Sequence, residues 1–138
     1  MTDPGTLVAE GRAWYDGYFQ VFTRLGRGER SDLDALADLF ATPTTLVTDD
    51  RCLTIAARAV LLRVLGDQVA QLRRAGYARR DTHRLEGRAR NARAALIEGT
   101  CSRHDGQGRE DARLGAAYLV IRTEAGWRFA ALIVTPPA

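Results

Sequence analysis

Few side chains in this 138-residue chain have the chemistry for catalysis or tight binding. Four tyrosines supply phenols, two histidines can titrate near neutrality, two cysteines could act as thiolates, and Asp49-Asp50 offers adjacent carboxylates. A phenol buried among apolar groups can donate a hydrogen bond to a forming oxyanion without itself ionising. Tyr18 has the setting for that, since it shares a helical stripe with Trp14 and Phe22, although aromatic side chains at such spacing serve packing first. Asp49 and Asp50 follow a β-branched run, where paired aspartates commonly form a solvated turn. His83 and His104 stand near strand segments, where a lone histidine is more often structural than reactive. Cys52 and Cys101 have no ordered base that the sequence identifies, and they fit no metal-ligand spacing.

Longer motifs are missing. The sequence has no HExxH, CxxC, GxSxG or Gly-Lys-Ser, and Gly26-Arg27-Gly28 follows a helical pattern instead of a strand, which excludes a dinucleotide fingerprint. No metal and no cofactor is expected. All 20 basic residues are arginine, beside 22 alanines and no lysine, which reads as the codon bias of a GC-rich genome and not as selection for guanidinium chemistry. The charge is uneven: residues 1–50 carry 4 arginines against 9 acids, and residues 51–93 carry 11 against 3. The cluster Arg73, Arg74, Arg79, Arg80, Arg84, Arg88, Arg90 and Arg93 has only Tyr77 interleaved, whereas single-strand binders need aromatic platforms beside the charge. Arg80, Arg84, Arg88 and Arg90 alternate as one solvated or dimer-pairing strand face, with the acidic first third of a second subunit as counter-charge. No nucleic-acid partner is expected.

The elements that must position these residues follow from periodicity. Leu7, Gly11, Trp14, Tyr18, Phe22 and Leu25 recur at three- and four-residue steps and predict a long amphipathic helix ended by Gly26-Arg27-Gly28. Ser31 reads as an N-cap for a short second helix through Leu33, Leu36, Ala37 and Phe40, which Thr42-Pro43 breaks. Thr44 to Thr48 reads as a strand, and Cys52 to Ile55 as a brief extended stretch. Leu61, Leu65, Val69 and Leu72 predict a third helix over 56–74, stopped by Gly76. Four strands follow over 79–90, 94–103, 113–123 and 127–135, with hairpin turns at Asp105-Gly106-Gln107-Gly108 and Glu124-Ala125-Gly126. Helices first and consecutive strands afterwards argue for an α+β domain over residues 1–138, an antiparallel sheet curled against three N-terminal helices.

That order resembles the nuclear transport factor 2-like superfamily, which includes ketosteroid isomerase and the SnoaL-like polyketide cyclases. Ser31-Asp32-Leu33-Asp34-Ala35-Leu36, Leu39-Phe40-Ala41 and Thr44-Thr45-Leu46-Val47 look like that family's second helix running into its first strand. Tyr118 to Arg122, the Gly126-Trp127 turn and Arg128 to Ile133 are similar to its closing hairpin. The resemblance implies a cone-shaped sheet over an apolar pocket, commonly in a homodimer. It also implies a helix-borne tyrosine as oxyanion donor, matched by Tyr18, and a general-base aspartate eight residues after the phenylalanine of the second helix. Eight from Phe40 lands on Thr48, so Asp49 is one residue late and Asp50 two late, with the parity of Thr48. The isomerase pattern's second acid falls on Tyr118, a departure from steroid isomerisation.

Composition narrows the class. A 46% hydrophobic content suffices for a core at this length without disulfides, no apolar run approaches the roughly 18 residues of a membrane span, and no leader pattern is visible. A cytoplasmic protein with reduced thiols is expected. The leading expectation is a domain binding a small apolar molecule in a pocket lined by Trp14, Tyr18, Phe22, Phe40, Tyr118 and Trp127. Two alternatives stay open: an isomerase, cyclase or dehydratase with Asp50 or Asp49 as base and Tyr18 as donor, and a structural dimer module whose cavity side chains fill.

Overall fold

A computed structural model describes residues 3–136. Helix α1 spans Pro4–Gly26, its first turn held by the Asp3 carboxylate, which accepts from the Gly5 and Thr6 amides. Its inward row is Leu7, Gly11, Tyr15, Tyr18, Phe22 and Leu25. Tyr15 takes the fully buried place expected of Trp14, which sits at the row's edge with its ring 4.5 Å from Phe129. Helix α2, Leu33–Ala37, has only five residues. The expected Ser31 cap does not form: Asp32 flanks the helix, makes no capping bond, and pairs with Arg30 instead. Phe40, which the spacing put on α2, opens strand β1 (Phe40–Val47), because the Phe129 amide captures the Leu39 carbonyl at 2.9 Å.

Strand β2 is Cys52–Ile55 and helix α3 is Arg58–Arg74, ended by Gly76 at φ +72°, a conformation glycine adopts without strain. Four strands follow: β3 (Tyr77–Asn91), β4 (Ala94–Asp105), β5 (Glu110–Thr123) and β6 (Gly126–Thr135). They form an open six-stranded sheet in the order β2-β1-β6-β5-β4-β3. The α+β class and the curved sheet are as expected, with one correction: β1 runs parallel to β6, so the sheet is mixed. Thr42-Pro43 lies inside β1 and does not precede it. The strand tolerates proline there because β2 pairs only from Thr44 onward and the β6 register shifts between Phe40 and Thr45.

The core lies between α1, α3 and the concave face of the sheet, around Phe22, Phe129, Leu25, Ile97 and Val120, all at 1% exposure or less. Each such side chain is worth about 1.5–3 kcal/mol of burial. A second correction concerns β3. Its pairing with β4 slips between Thr82 and Arg84, a β-bulge that exchanges the faces of the strand. Arg80 therefore faces α1, while Arg84, Arg88 and Arg90 are exposed on the other side, and the four do not share the single face that alternation predicts. Gly99 makes room for the slip, since a Cβ there would strike the Arg84 carbonyl. Among the described residues no helix is long and apolar enough to cross a membrane.

Candidate functional site

A cavity of about 230 Å³ opens between α3 and the strands β1, β2 and β6. From β1 come Thr44, Thr45 and Leu46, with Thr48 just past the strand's end, and β6 adds Leu132 and Val134. Helical spacing on α3 sets Leu61, Val64 and Leu65 deep, with Gln68 and the exposed Asp67 and Gln71 towards solvent. The lining is thus mixed: an apolar floor, threonine hydroxyls on the strand side, and the Gln68 and Gln71 carboxamides, the Asp67 carboxylate and the Arg51 guanidinium.

Tyr18 and Phe40 close the inner end. Tyr18 is 4% exposed. Burial first, then the nearby Tyr118 phenol, pushes its phenol well above the ordinary value, while Arg80 and Arg103 pull the other way. Tyr15, one turn earlier, is pushed up for the same leading reason, with Tyr118 again adding to it. Both therefore stay protonated donors across the physiological range.

Of the other residues named from sequence as ligand-binding, none lines the cavity. Trp14 and Tyr118 pack on Phe129 at 4.5 and 5.1 Å, Phe22 lies 5.8 Å from the Tyr18 ring, and Trp127 lies beneath the Arg122 guanidinium. Trp14, Phe22 and Tyr118 belong to the aromatic layer around Tyr18 and Phe129, and Trp127 stands apart from it. Asp49 and Asp50 are exposed at the tip of the β1–β2 turn, which closes when the Thr48 amide donates to the Arg51 carbonyl at 2.9 Å. The residues flanking that tip, Thr48 and Arg51, reach the cavity instead. Asp67 is the one carboxylate on its wall among the described residues. The α3 contribution had a visible signal: Gln68 and Gln71 continue the stripe that begins at Leu61 and Leu65.

The histidines meet elsewhere. His83 Nε2 lies 2.8 Å and His104 Nε2 2.9 Å from the Ser102 hydroxyl, and His104 Nε2 also lies 3.2 Å from Asp81. This is not a nucleophile relay, because serine and carboxylate contact the same ring nitrogen and Ser102 is only 1% exposed. Cys52 is exposed and Cys101 buried, both as free thiols. Among the described residues no group of three or more histidine, cysteine or carboxylate side chains could hold a metal ion.

The family model described as NTF2-like protein (DUF6841) matches residues 9–137. The chain belongs to this family. Solved structures agree on the NTF2-like fold. A candidate dehydratase of the NTF2-like family from Streptomyces avermitilis superposes with a TM-score of 0.73 at 17% identity, covering 99% of both chains. A candidate aromatic ring hydroxylase from Novosphingobium aromaticivorans gives 0.71 at 13% identity, over 99% of this chain and 93% of that one. A ketosteroid isomerase-like protein from Erwinia carotovora atroseptica gives 0.64 at 14% identity, over 95% and 96%. No curated protein matches the chain. At these identities the NTF2-like likeness shows the fold alone.

Proposed function

We propose that this NTF2-like domain binds a small, mainly apolar molecule in the cavity between α3 and β1, β2 and β6. The observation that carries this reading is the cavity itself: about 230 Å³ of space with an apolar floor and a few polar groups, ending on a buried phenol that remains a hydrogen-bond donor. The space also counts against the alternative of a module whose interior is filled by its own side chains. The test is titration with 1-naphthamide, followed by intrinsic fluorescence, in the wild type and in Val64→Trp, whose indole would occupy the cavity. Binding to the wild type that drops at least ~10-fold in Val64→Trp supports the reading, and equal binding to both removes it.

A catalytic reading has one observation in its favour, the protonated Tyr18 at the cavity's inner end. Its base would have to come from a carboxylate beside the bound molecule, and Asp67 is better placed for that than Asp49 or Asp50. Loss of turnover in both Tyr18→Phe and Asp67→Asn would establish it. We propose a homodimer as the assembly, on the ground that Ile133 stands 44% exposed on the outward face of β6. Light scattering should give twice 15.2 kDa at micromolar concentration, and a concentration-independent monomer would count against it.

A further inference from the structure

Two hydroxyls on the cavity wall are left unbonded by the chain. Tyr18 of α1, 4% exposed, and Thr44 of β1, 5% exposed, both line the space, and Thr44 is the one buried threonine among those on the wall. Neither side chain makes a hydrogen bond to any described residue. Both hydroxyls are also open to the space beside them. Among the described residues, the side-chain atoms sealed from solvent without a partner are the Nε of Arg80 and of Arg103, and neither arginine lines this wall.

Other hydroxyls of the chain are engaged. Thr48, at the same cavity, accepts from the Arg51 amide at 3.3 Å, the Thr23 and Tyr77 hydroxyls lie 3.2 Å apart, and Ser102 meets two histidines. An unbonded hydroxyl in an almost dry place gives up water and gains nothing in return, so a fold usually supplies a partner. Valine would suit the strand position of Thr44 at least as well. What the two groups share is an O–H without an acceptor. The carboxamides and the carboxylate of the cavity stand on α3 towards solvent, and its one cation, Arg51, is exposed at the β1–β2 turn. The missing partner is therefore an acceptor that carries no charge and brings no further donor. A carbonyl oxygen, with two lone pairs and no hydrogen, meets both conditions.

We propose that the molecule bound in the cavity is an apolar carbonyl compound whose oxygen is received by the Thr44 and Tyr18 hydroxyls, with Thr44 as a specificity-determining residue. This rests on the reading of the cavity as a binding site and adds the group that its buried wall selects. Thr44 is not the second donor that the family resemblance implies. That position falls on Tyr118, which packs on Phe129 at 5.1 Å and does not line the cavity.

The experiment titrates 2-acetonaphthone and 2-isopropenylnaphthalene, in which a methylene replaces the oxygen in nearly the same planar shape, and follows intrinsic fluorescence. Thr44→Val should weaken the ketone about 5-fold, the worth of one hydrogen bond, and leave the hydrocarbon within about 2-fold. Thr44→Ser, which keeps the hydroxyl, should retain most of the ketone affinity, and Tyr18→Phe should act as Thr44→Val does. The melting temperature of Thr44→Val should stay level or rise, because the hydroxyl it loses has no bond within the protein. Unchanged ketone binding in Thr44→Val overturns the proposal, since the hydroxyl then serves only water. An equal loss for both probes overturns it too, as does a clear drop in the melting temperature of Thr44→Val, either of which would make the residue structural. In all three cases the cavity reading stands, provided Val64→Trp still blocks both probes. Failure of the wild type to bind either probe, or equal binding in Val64→Trp, removes both readings together.

Discussion

The two faces of the β3–β4 hairpin carry the same side chain under opposite conditions. On the outward face, Arg79, Arg84 and Arg88 each have a carboxylate at 3.2 to 3.5 Å and lie about half or more exposed. Asp81, within that row, is held below the usual carboxylate range chiefly by its hydrogen bond from Arg79. On the inward face, Arg80 and Arg103 have aromatic rings and phenols for company and no carboxylate. Solvated pairs of the first kind contribute little to stability and keep the sheet soluble. The difference shows one side chain in two settings, carboxylates and solvent on one face and rings and phenols on the other, and burial, not residue count, separates the two.

The sharpest way to break the comparison is to remove an inward ring. Phe22→Ala takes away a fully buried side chain packed on Tyr18, Phe19 and Tyr77 and should cost about 3–5 kcal/mol, read by chemical denaturation. Next in size is an alkaline effect confined to the inward layer. Tyr15 and Tyr18 hold their protons above the ordinary phenol value, so their stability contribution is whole below about pH 10. As pH rises past that point only the unfolded chain releases those protons, and stability should fall by about 1.4 kcal/mol per pH unit for each phenol. Denaturation between pH 9 and 11 measures this slope, and Tyr18→Phe should reduce it by one phenol's share. The smallest effects belong to the outward face. Ser102→Ala, which removes the hydroxyl shared by the two histidines, should cost about 1 kcal/mol, while Arg88→Ala should stay within about 0.5 kcal/mol. An Arg88→Ala effect as large as that of Phe22→Ala would erase the distinction between the faces.

What the sequence disclosed and what it withheld divide along local and non-local lines. The stripe from Leu7 to Leu25 announces α1, and the glycines at 76 and 126 mark real turns at positive φ, because helix period and turn chemistry are written in neighbouring residues. The parallel seam between β1 and β6 joins residues some ninety positions apart, and no local pattern encodes it. The bulge after Thr82 depends on what β4 presents opposite, namely Gly99, so alternation counted along β3 alone assigns Arg80 to the wrong face. The site shows the same division. Tyr18 is visible as a phenol on an inward stripe, and counting eight from Phe40 lands on Thr48, which does reach the cavity. Of the aromatic residues named with Tyr18, Phe40 lines the cavity, whereas Phe22, Tyr118 and Trp127 are buried in the core and Trp14 is partly so, since large rings at helical and strand spacing fill a core before they line a space. The walls come instead from threonines and aliphatic residues of ordinary type, whose role is set only by which elements they face.

The slip after Thr82 acts on the hairpin as a change of reading frame acts on a message. Just upstream of it Arg80 faces the interior, and downstream the odd positions do, with Leu85 and Gly87 turned to α1. A chain shortened by one residue at this point would keep nearly the same letters and reverse their meaning, sending Arg84, Glu86 and Arg88 towards the helix and Leu85 into water. Alignments of related chains that place a gap elsewhere in this strand would therefore match interior residues with exterior ones.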